Sequence, residues 1–427
     1  MFDIKFLREN PDKVKDNIKK KHKTDRLKLV DEALLKDKKW RELKGDVDNL
    51  RAERNKLSKA VGDAKKAGKD TKKILNEAGE IPEKIEALEK KMYSLEEELA
   101  IILSRIPNMM HESVAIGKDD CDNVSMRKIG KPKDFNFEVK NHAEIAESIG
   151  VADFDASSKT SGNGFYYLQG DLALLNQALI RFAIDKLVSK GFTYVETPLM
   201  LRGNVMSNVT DLNDMKNQIY KMDEEDLYLI GTSEHSMIGR YIDTILTEKQ
   251  LPMKFASYSM CFRKEIGSHG IDEKGLYRSH QFNKVEMVVI CKPEDSMKFY
   301  EEIQAVTIEI FRDLDIPIRI LGICSGDLGD LKHVQVDIEA WSPRKKSYFE
   351  VGSCSNLTDA QARKLKIRVD PGNKDKYVPH TLNNTAIATS RAMVAILENY
   401  QQKDGSVEIP KVLLPYMHGK KFLGKKA

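Results

Sequence analysis

Two runs of regularly spaced apolar residues constrain the fold of this 427-residue chain more than any other feature. From residue 43 to 64 and from 85 to 102 the apolar positions are mostly three or four apart: Leu43, Val47, Leu50, Leu57, Val61 and Ala64, then Ile85, Leu88, Met92, Leu95, Leu99 and Ile102. Such spacing is typical of coiled-coil helices. The stretch between them contains Gly62 and Gly68 and few large apolar residues. The sequence therefore predicts an antiparallel helical hairpin with helices of about 30–35 residues, which at ~1.5 Å per residue would extend about 50 Å.

Charged residues are distributed unevenly between the two parts of the chain. Residues 1–110 contain 28 Lys and Arg against 22 Asp and Glu, whereas residues 111–427 contain 42 against 44. The first segment is expected to be too polar to bury a core of its own, whereas the second has the composition and length of one large domain or two small ones. Pro107, Gly117, Gly130 and Pro132 lie around the junction. We therefore predict a helical arm at 1–110 and a globular domain at 111–427.

The hairpin has two interpretations from its sequence alone. A solvated coiled coil commonly serves dimerisation. Acidic residues, however, concentrate in the second helix, whereas basic ones cluster near the reversal of the chain: Arg51, Arg54, Lys56, Lys59, Lys65, Lys66, Lys69, Lys72 and Lys73. Such side chains bind a phosphate backbone through the release of counterions. An RNA-binding arm is therefore the second interpretation.

Patterns for export, membrane insertion and metal binding by cysteine do not occur in the sequence. The first ten residues, MFDIKFLREN, contain no signal-like apolar stretch, and no window approaches about 18 uninterrupted apolar residues. We therefore expect a soluble cytoplasmic protein that does not bind membranes. The five cysteines are scattered without a C-x-x-C pair, so neither a disulfide framework nor a zinc site is expected.

The second segment combines many short strand patterns with a few helical ones. Helical spacing predicts helices at 172–190, 234–247, 296–314 and 391–400. Strands are predicted at 227–230, 255–262, 283–291, 316–321, 335–341 and 348–351, and a further one in FTYVETPLM that ends at Pro198. The helices are too few for a repeating βαβ array. The prediction is an α+β fold with a mainly antiparallel sheet.

Two of these strands carry charged residues where the core face of a central strand is normally apolar. By the period of two, Arg263 and Glu265 share one face of the first strand, and the second strand presents a larger set: Arg278, His280, Phe282, Lys284 and Glu286. A solvated outer face would give the same pattern. The apolar flanks MKFASYSMC and MVVIC instead favour strands inside a large sheet, joined by a loop at 266–277. Arginine forks bind phosphate or carboxylate, and an aromatic face stacks on a purine. This surface therefore suits a nucleoside triphosphate and an amino acid.

Two polar motifs further along the chain add to this chemistry. Glu350 and Ser353 in YFEVGSCSN offer the hard oxygen ligands that Mg²⁺ uses when it is shared with phosphates. In HTLNNTAIATSRAMVAILENY, Arg391 stands in the first turn of an apolar helix, where the helix N-terminus favours anions. Both motifs indicate a site for phosphate groups.

The order and spacing of these segments resemble the three signature motifs of class II aminoacyl-tRNA synthetases. GFTYVETPLM is similar to motif 1, CFRKE to HQFNKVE is similar to motif 2, and AIATSR with its helix is similar to motif 3. Within that class the chain resembles the seryl-tRNA synthetase family through LYLIGTSEHS and EVGSCSNLTDAQARKLKIR. The resemblance covers essentially the whole chain, because LRENPDKVK and the hairpin resemble that family's N-terminal arm.

The resemblance implies an enzyme that activates L-serine with ATP to seryl-adenylate and transfers serine to the 3′ end of its tRNA. It leaves open whether selenocysteine tRNA is charged as well. It also implies a homodimer with Pro198 at the interface, and an arm, 1–110, that contacts the serine tRNA. A catalytically silent RNA-binding relative is disfavoured by the intact charged set. A ligase that loads an amino acid onto a carrier protein is disfavoured by the arm.

Position by position, the resemblance assigns roles to individual residues. Arg263 would hold the α-phosphate and the serine carboxylate, and with Arg391 and Glu350 it would form the catalytic set. Serine would contact Thr232, Ser233, Glu234, Arg263, Glu286 and Thr385. ATP would contact Arg263, Lys264, Glu265, Ser279, Phe282, Glu350, Val351, Gly352, Ser353 and Arg391. Mg²⁺ would be held by Glu350 and Ser353. His280 is expected to support the motif 2 loop, because an ionised carboxylate nucleophile needs no base.

Overall fold

The computed structural model describes residues 1–210, 217–265 and 275–424, and the chain divides into two compact units, Met1–Met109 and Met110–Ala427. The N-terminal unit is helical. Its helices are α1 (Ile4–Glu9), α2 (Pro11–Lys20), α3 (Leu27–Lys66) and α4 (Lys72–Arg105). The predicted hairpin is confirmed, with helices of 40 and 34 residues and a reversal at 67–71 in which Gly68 has a φ of +64°.

Apolar residues of α3 and α4 meet in two separate clusters. The arm cluster consists of residues near the middle of the hairpin: Val47, Ile81 and Ile85, packed with Leu50, Leu57, Leu88 and Met92. The base cluster joins α1 and α2 to the other end of the hairpin: Phe2, Leu7, Val14, Ile18, Leu29, Val30, Ala33, Ile102, Leu103 and Ile106. The expectation that this segment buries no core was therefore wrong at its base. The short helices α1 and α2 supply the missing apolar surface.

The distal part of the hairpin carries no buried side chain between residues 51 and 80. Closer to the base, ion pairs join α3 and α4 across the hairpin, Arg51 with Glu89 at 2.6 Å and Lys36 with Glu98. Exposed pairs of this kind contribute little to stability. The basic tip is therefore a solvent-exposed surface rather than a packed one.

The C-terminal unit contains the remaining helices and all strands of the described residues. The helices are α5 (His142–Ser148), α6 (Phe154–Thr160), α7 (Gly170–Ser189), α8 (Gly203–Val209), α9 (Ser233–Gly239), α10 (Ser296–Asp313), α11 (Ala360–Lys364) and α12 (Thr389–Tyr400). The strands are β1 (Val124–Ile129), β2 (Ala152–Asp153), β3 (Tyr167–Leu168), β4 (Thr193–Tyr194), β5 (Met200–Arg202), β6 (Leu227–Leu229), β7 (Ile245–Thr247), β8 (Met253–Phe262), β9 (Gln281–Cys291), β10 (Ile318–Gly322), β11 (Val334–Ser342), β12 (Ser347–Thr358), β13 (Arg368–Asp370), β14 (His380–Ala388), β15 (Val407–Glu408) and β16 (Phe422–Leu423).

The predicted, mainly antiparallel sheet is confirmed. Eight strands follow the order β1-β10-β11-β12-β14-β9-β8-β4, and all neighbours are antiparallel except β4 and β8. Helices α7, α10 and α12 pack on this sheet around a core that includes Leu175, Ile303, Val289 and Met393. Among the described residues, no helix combines the length and apolarity required to cross a membrane.

Several element predictions needed correction. The helix predicted at 234–247 ends at Gly239, and the strand predicted to end at Pro198 is replaced by the short strands β4 and β5 on either side of that proline. Strands β1 and β14 were missed. The first lies in the presumed linker, and the second has the sequence HTLNNTAIA, whose small and polar residues hide the alternation. Most of the loop predicted at 266–277, namely 266–274, lies outside the described residues.

Candidate active site

A cavity of about 740 Å³ lies on the sheet face opposite α7, α10 and α12. Along β9, residues of even number (Phe282, Lys284) line the cavity, whereas Val285 and Met287 enter the core. This alternation follows from the strand period of two. Thirteen of the fifteen predicted site residues line the cavity: Thr232, Glu234, Arg263, Glu265, Ser279, Phe282, Glu286, Glu350, Val351, Gly352, Ser353, Thr385 and Arg391.

The other two predicted site residues are not brought to the cavity. Ser233 is fully buried, and its hydroxyl donates to the carbonyl of Ser257 at 3.3 Å. The ammonium group of Lys264 lies 5.9 Å from the centre of the Tyr220 ring. Their positions therefore do not support the binding roles expected of them. In both cases the cavity-facing position is taken by a neighbour in sequence.

Arg263 lies just beyond the end of β8 rather than within it. Its Nε donates to the carbonyl of Gly231 at 3.2 Å, and its guanidinium carbon lies over the Phe282 ring, 5.4 Å from the ring centre. Glu265 has a φ of +47°, so the predicted alternation of the strand does not extend to it. Its carboxylate instead meets Arg278 at 3.2 Å, on the other side of the loop. The polar face predicted for β8 and β9 is therefore formed partly by residues 263–265, which follow β8, and partly by residues 278–280, which precede β9.

His280 supports this turn from outside the cavity. Its Nδ1 lies 3.0 Å from the carbonyl oxygen of Arg263, which can only accept a hydrogen bond, so this nitrogen carries the proton. The ring lies beside Phe165, and a Cβ at Gly164 would come within 2.7 Å of it. This position supports the expected structural role of His280.

A compact set of charged side chains occupies one end of the cavity. Lys284 and Glu286 form an ion pair at 2.5 Å, both almost fully buried, and the hydroxyl of Thr385 donates to the same carboxylate at 3.2 Å. Glu234 lies in the first turn of α9, which Thr232 caps by accepting from the Glu234 N–H at 3.3 Å. Removal from water and the neighbouring Glu286 raise the pKa of Glu234. This end of the cavity is suited to a small ligand that carries both an ammonium group and a hydroxyl.

Acidic oxygens lie at the other end, on β11 and β12. The carboxylate of Glu350 meets the guanidinium of Arg391 at 2.9 Å. Burial by itself would raise the pKa of Glu350. The positive charges of Arg391, Arg263 and Lys332 outweigh burial, so the pKa of Glu350 is lowered. Asp337 lies opposite Ser353 in the strand register, and burial, together with Glu350, raises the pKa of Asp337 to about 6.

These oxygens form a donor set of the kind that binds a hard divalent cation. The Ser353 hydroxyl is buried and its contact with Asp337 opposes the rise in the pKa of that acid, while Arg391 lowers the pKa of Glu350. Hydroxyl and carboxylate oxygens are ligands that Mg²⁺ prefers. The residues present therefore fit the metal predicted for this position.

The sequence interpretation missed several cavity residues. The sequence patterns predict the charge of Lys284 but no role for it, and they predict no role for Asp337, Lys332 or Tyr277, although all four line the cavity. The Tyr277 ring lies 5.2 Å from the Arg391 guanidinium. Asp337 had only a weak signal, because it alternates with Val336 and Ile338 on the polar face that it shares with Gln335 and Glu339. Tyr277 had none, since its approach to Arg391 depends on the fold.

A buried histidine fixes the segment that leads into β9. The Nε2 of His142, at the start of α5, accepts a hydrogen bond from the Leu276 N–H at 3.0 Å, and its Nδ1 lies 3.7 Å from the Glu398 carboxylate. Gly275 has a φ of +128°, and a Cβ there would come within 2.2 Å of the same Nε2. Tyr277 follows directly, so this contact determines how the chain enters the cavity.

We expect Gly275→Ala to lower the free energy of unfolding by about 2–4 kcal/mol, because the new methyl group displaces His142 and leaves the Leu276 N–H unpaired. Thermal unfolding measures the change. The matched control is Gly372→Ala, since Gly372 also has a positive φ, +84°, but has open space around it. The control is expected to lose about 1–2 kcal/mol. Equal losses in the two variants would show that the contact with His142 is unimportant.

Comparisons with known proteins agree over both units. The family described as "Seryl-tRNA synthetase N-terminal domain" matches residues 1–110, and the family described as "tRNA synthetase class II core domain (G, H, P, S and T)" matches residues 218–400. The serine–tRNA ligase of Methanospirillum hungatei is 48% identical over 99% of this chain and 100% of its own length. That of Thermococcus sibiricus is 44% identical over 99% of this chain and 98% of its own length.

Solved structures give the same result. The crystal structure of seryl-tRNA synthetase from Pyrococcus horikoshii complexed with ATP superposes with a TM-score of 0.93, at 42% identity and over 99% of both chains. The cytoplasmic serine–tRNA ligase of Naegleria fowleri in complex with AMP superposes with a TM-score of 0.89, at 30% identity, over 100% of this chain and 99% of that one.

Proposed function

The chain belongs to the seryl-tRNA synthetase family, and on this basis we propose which functions its cavity and its two units have when tRNA is charged with serine. The enzyme activates serine with ATP and transfers it to tRNA. The observation that carries the assignment of residues is the meeting, in one cavity, of Arg263 and Arg391 with the acidic set Glu234 and Glu286. Two cationic forks suit phosphate and carboxylate groups, and buried acids suit an ammonium group.

We assign the nucleotide to the half of the cavity lined by Arg263, Phe282 and Arg391. Phe282 offers an aromatic face, and Arg391 offers a guanidinium held by Glu350. These two side chains would enclose the purine, while Glu265 and the backbone at Ser279 would contact its edge. Val351 and Gly352 would line the floor, where a Cβ at Gly352 would come within 3.3 Å of Thr385. A side chain at position 352 would therefore narrow the cavity.

We assign serine to the half lined by Thr232, Glu234, Glu286 and Thr385. The two carboxylates and the hydroxyl groups match the ammonium group and hydroxyl of serine in charge and hydrogen bonding. Alanine would lose the hydrogen bonds that Glu286 and Thr385 can form with the serine hydroxyl, and no water replaces that hydroxyl cheaply in a buried site. Threonine adds one methyl group, whose exclusion is worth about 1–3 kcal/mol. Discrimination against alanine is therefore expected to rest on hydrogen bonds, and discrimination against threonine on shape.

Activation would then proceed by alignment and charge stabilisation. A serine carboxylate oxygen attacks the α-phosphorus in line, a P–O bond forms, and the bond to pyrophosphate breaks. The nucleophile is already ionised, so no general base is needed, and His280 stays outside the reaction. Arg263 would neutralise charge that develops on the α-phosphate. In the second step a ribose hydroxyl of the tRNA terminus attacks the adenylate carbonyl, and AMP leaves.

Glu350 and Ser353 would hold a magnesium ion beside the phosphates. Such an ion, when bound, neutralises phosphate charge and orients the leaving group. The ionised state of Glu350, which Arg391 and Lys332 favour, is the state required of a metal ligand. Asp337, opposite Ser353, adds a further carboxylate to the same surface.

We further propose that residues 1–110 form the tRNA-binding arm and residues 111–427 the catalytic domain. The exposed basic tip of the hairpin supports this division, because phosphate contacts need accessible Lys and Arg. A homodimer formed around Pro198 and a cytoplasmic site of action are proposed from the family resemblance. The exposed apolar side chain of Met200, two residues beyond Pro198, supports an interface there.

Pyrophosphate exchange tests the assignment of the substrate. Exchange into ATP is expected to depend on serine and on a divalent cation, and aminoacylation of serine tRNA is expected to follow. Alanine is expected to support exchange at least about 10³-fold less well, since buried polar groups lose their partner. Equal exchange with alanine or threonine, or none with serine, would exclude the proposed serine site.

A further inference from the structure

A buried glutamine outside the cavity contacts one of its acids. Gln361 lies in α11 and is 1% exposed. Its Nε2 donates to the Glu234 carboxylate at 2.9 Å and to the carbonyl of Val209 at 3.4 Å. Its Oε1 accepts from the hydroxyl of Thr381 at 3.0 Å. Gln361 does not line the cavity, but Glu234 and Val209, which its amide contacts, both do, and of these two only Glu234 carries a charge.

The orientation of this amide is determined by its neighbours. The carbonyl of Val209 can only accept a hydrogen bond, so the NH₂ group of Gln361 must face Val209 and Glu234. The amide oxygen then faces Thr381, whose hydroxyl can donate. The NH₂ group of Gln361 therefore always faces the Glu234 carboxylate as a hydrogen-bond donor. A donor favours the ionised carboxylate over the protonated acid.

The hydrogen bond from Gln361 opposes the burial of Glu234, which favours the protonated acid. Removal from water and the negative charge of Glu286 raise the pKa of Glu234, whereas the Gln361 amide lowers it. The charged groups that act on Glu234 from the surrounding elements are Glu286 and Lys284 on β9 and Lys332 before β11, whereas Arg263, after β8, and Lys284 act on His235, the next residue of the same helix. Burial and the nearby Arg263 and Lys284 lower the pKa of His235 to about 3, so this imidazole is neutral near pH 7.

We propose that Gln361 is a positioning residue for serine recognition, whose amide donor directs the Glu234 carboxylate at the ammonium group of the substrate. The inference rests on the proposed serine role of Glu234. Thr381 belongs to the same relay, because its hydroxyl fixes the amide that Glu234 contacts. The relay runs from β14 through α11 to α9 and never touches the reacting atoms.

Serine-dependent pyrophosphate exchange by Gln361→Met in the full-length chain tests the proposal. Methionine keeps the volume and removes the donor, which raises the pKa of Glu234. The fraction of enzyme with ionised Glu234 then falls as the pH falls. The KM for serine is expected to rise about 10- to 100-fold, the loss expected for a hydrogen bond to a charge, and this rise is expected to be larger at acidic pH than at alkaline pH, where Glu234 ionises again. The KM for ATP is expected to stay within about twofold, since no ATP contact changes.

Thr381→Val is expected to change the serine KM in the same direction but less. The Gln361 amide remains in this variant, and only the hydrogen bond from Thr381 that fixes its orientation is lost. The matched control is Gln401→Met. Gln401 is 5% exposed, its amide donates to the carbonyls of Lys140 and Glu398 at 3.1 and 3.0 Å, and it does not line the cavity. Its replacement removes a similar buried amide, so the unfolding temperature should fall without any change in the serine KM.

Two results would overturn the proposal. A rise in the serine KM that is independent of pH and accompanied by an equal rise for ATP would indicate a purely structural role. A serine KM unchanged in Gln361→Met would exclude the role directly. Glu234→Gln, measured in parallel, distinguishes a failure of the proposed serine role of Glu234 from a failure of the positioning role of Gln361. If it leaves the serine KM unchanged, the serine assignment of Glu234 fails; if it raises the KM while Gln361→Met does not, only the positioning role fails.

Discussion

Replacing Arg263 by alanine is expected to lower serine-dependent pyrophosphate exchange by at least about 10²–10³-fold while the fold is retained. The side chain lines the cavity, and its single protein hydrogen bond among those described is to the Gly231 carbonyl at 3.2 Å. Most donors of the guanidinium therefore face the cavity, where they can meet phosphate and carboxylate oxygens. Exchange kinetics and thermal unfolding together measure the effect.

Arg240→Ala is the matched control for this variant. The Arg240 guanidinium also lies over aromatic rings, 5.1 Å from the Tyr241 ring centre, but outside the cavity. Its loss removes similar packing and should leave exchange unchanged. Arg263→Lys keeps the charge but not the planar fork, so it should recover only part of the activity. Wild-type exchange by Arg263→Ala would contradict the proposed contact with the α-phosphate.

Removal of residues 46–92, with a short Gly/Ser linker in their place, is expected to leave exchange within about twofold of the full-length chain but to lower tRNA charging by at least about 10²-fold. This deletion removes the whole arm cluster and the basic tip, while every residue of the base cluster remains. Lys36 and Glu98, which pair across the hairpin, are also retained. Comparing exchange with aminoacylation at several salt concentrations separates the two steps.

A full-length variant with glutamine at five tip lysines provides the control for this deletion: Lys65, Lys66, Lys69, Lys72 and Lys73. These side chains are not buried, so the hairpin should still form. Charging by this variant should be weaker and less dependent on salt, because fewer counterions are released on binding. If the deletion reduced exchange as strongly as charging, the arm would have a function in activation that its proposed role does not include.

The parts of the fold that could be predicted from the sequence are those with a periodic signal. The spacing of Ile85, Leu88 and Met92 predicted the hairpin, and the apolar stretch at 283–291 predicted β9. Strand β14 could not be predicted, because its residues are small and polar and are buried only through pairing with β12 and β9. The helix predicted past Gly239 failed for a similar reason, since Leu246 is buried against a neighbouring strand rather than along a helix.

The residue types of the site were determined by the sequence alone, because charged side chains between apolar flanks favour strands inside a sheet that share a ligand over a solvated outer face. The tertiary structure decided which of them meet. It placed Lys284 against Glu286, excluded Ser233 and Lys264 from the cavity, and brought Gln361 to Glu234 from 127 residues away. Strand pairing and helix packing join segments that no local spacing relates, and the ionisation of each acid depends on those distant neighbours.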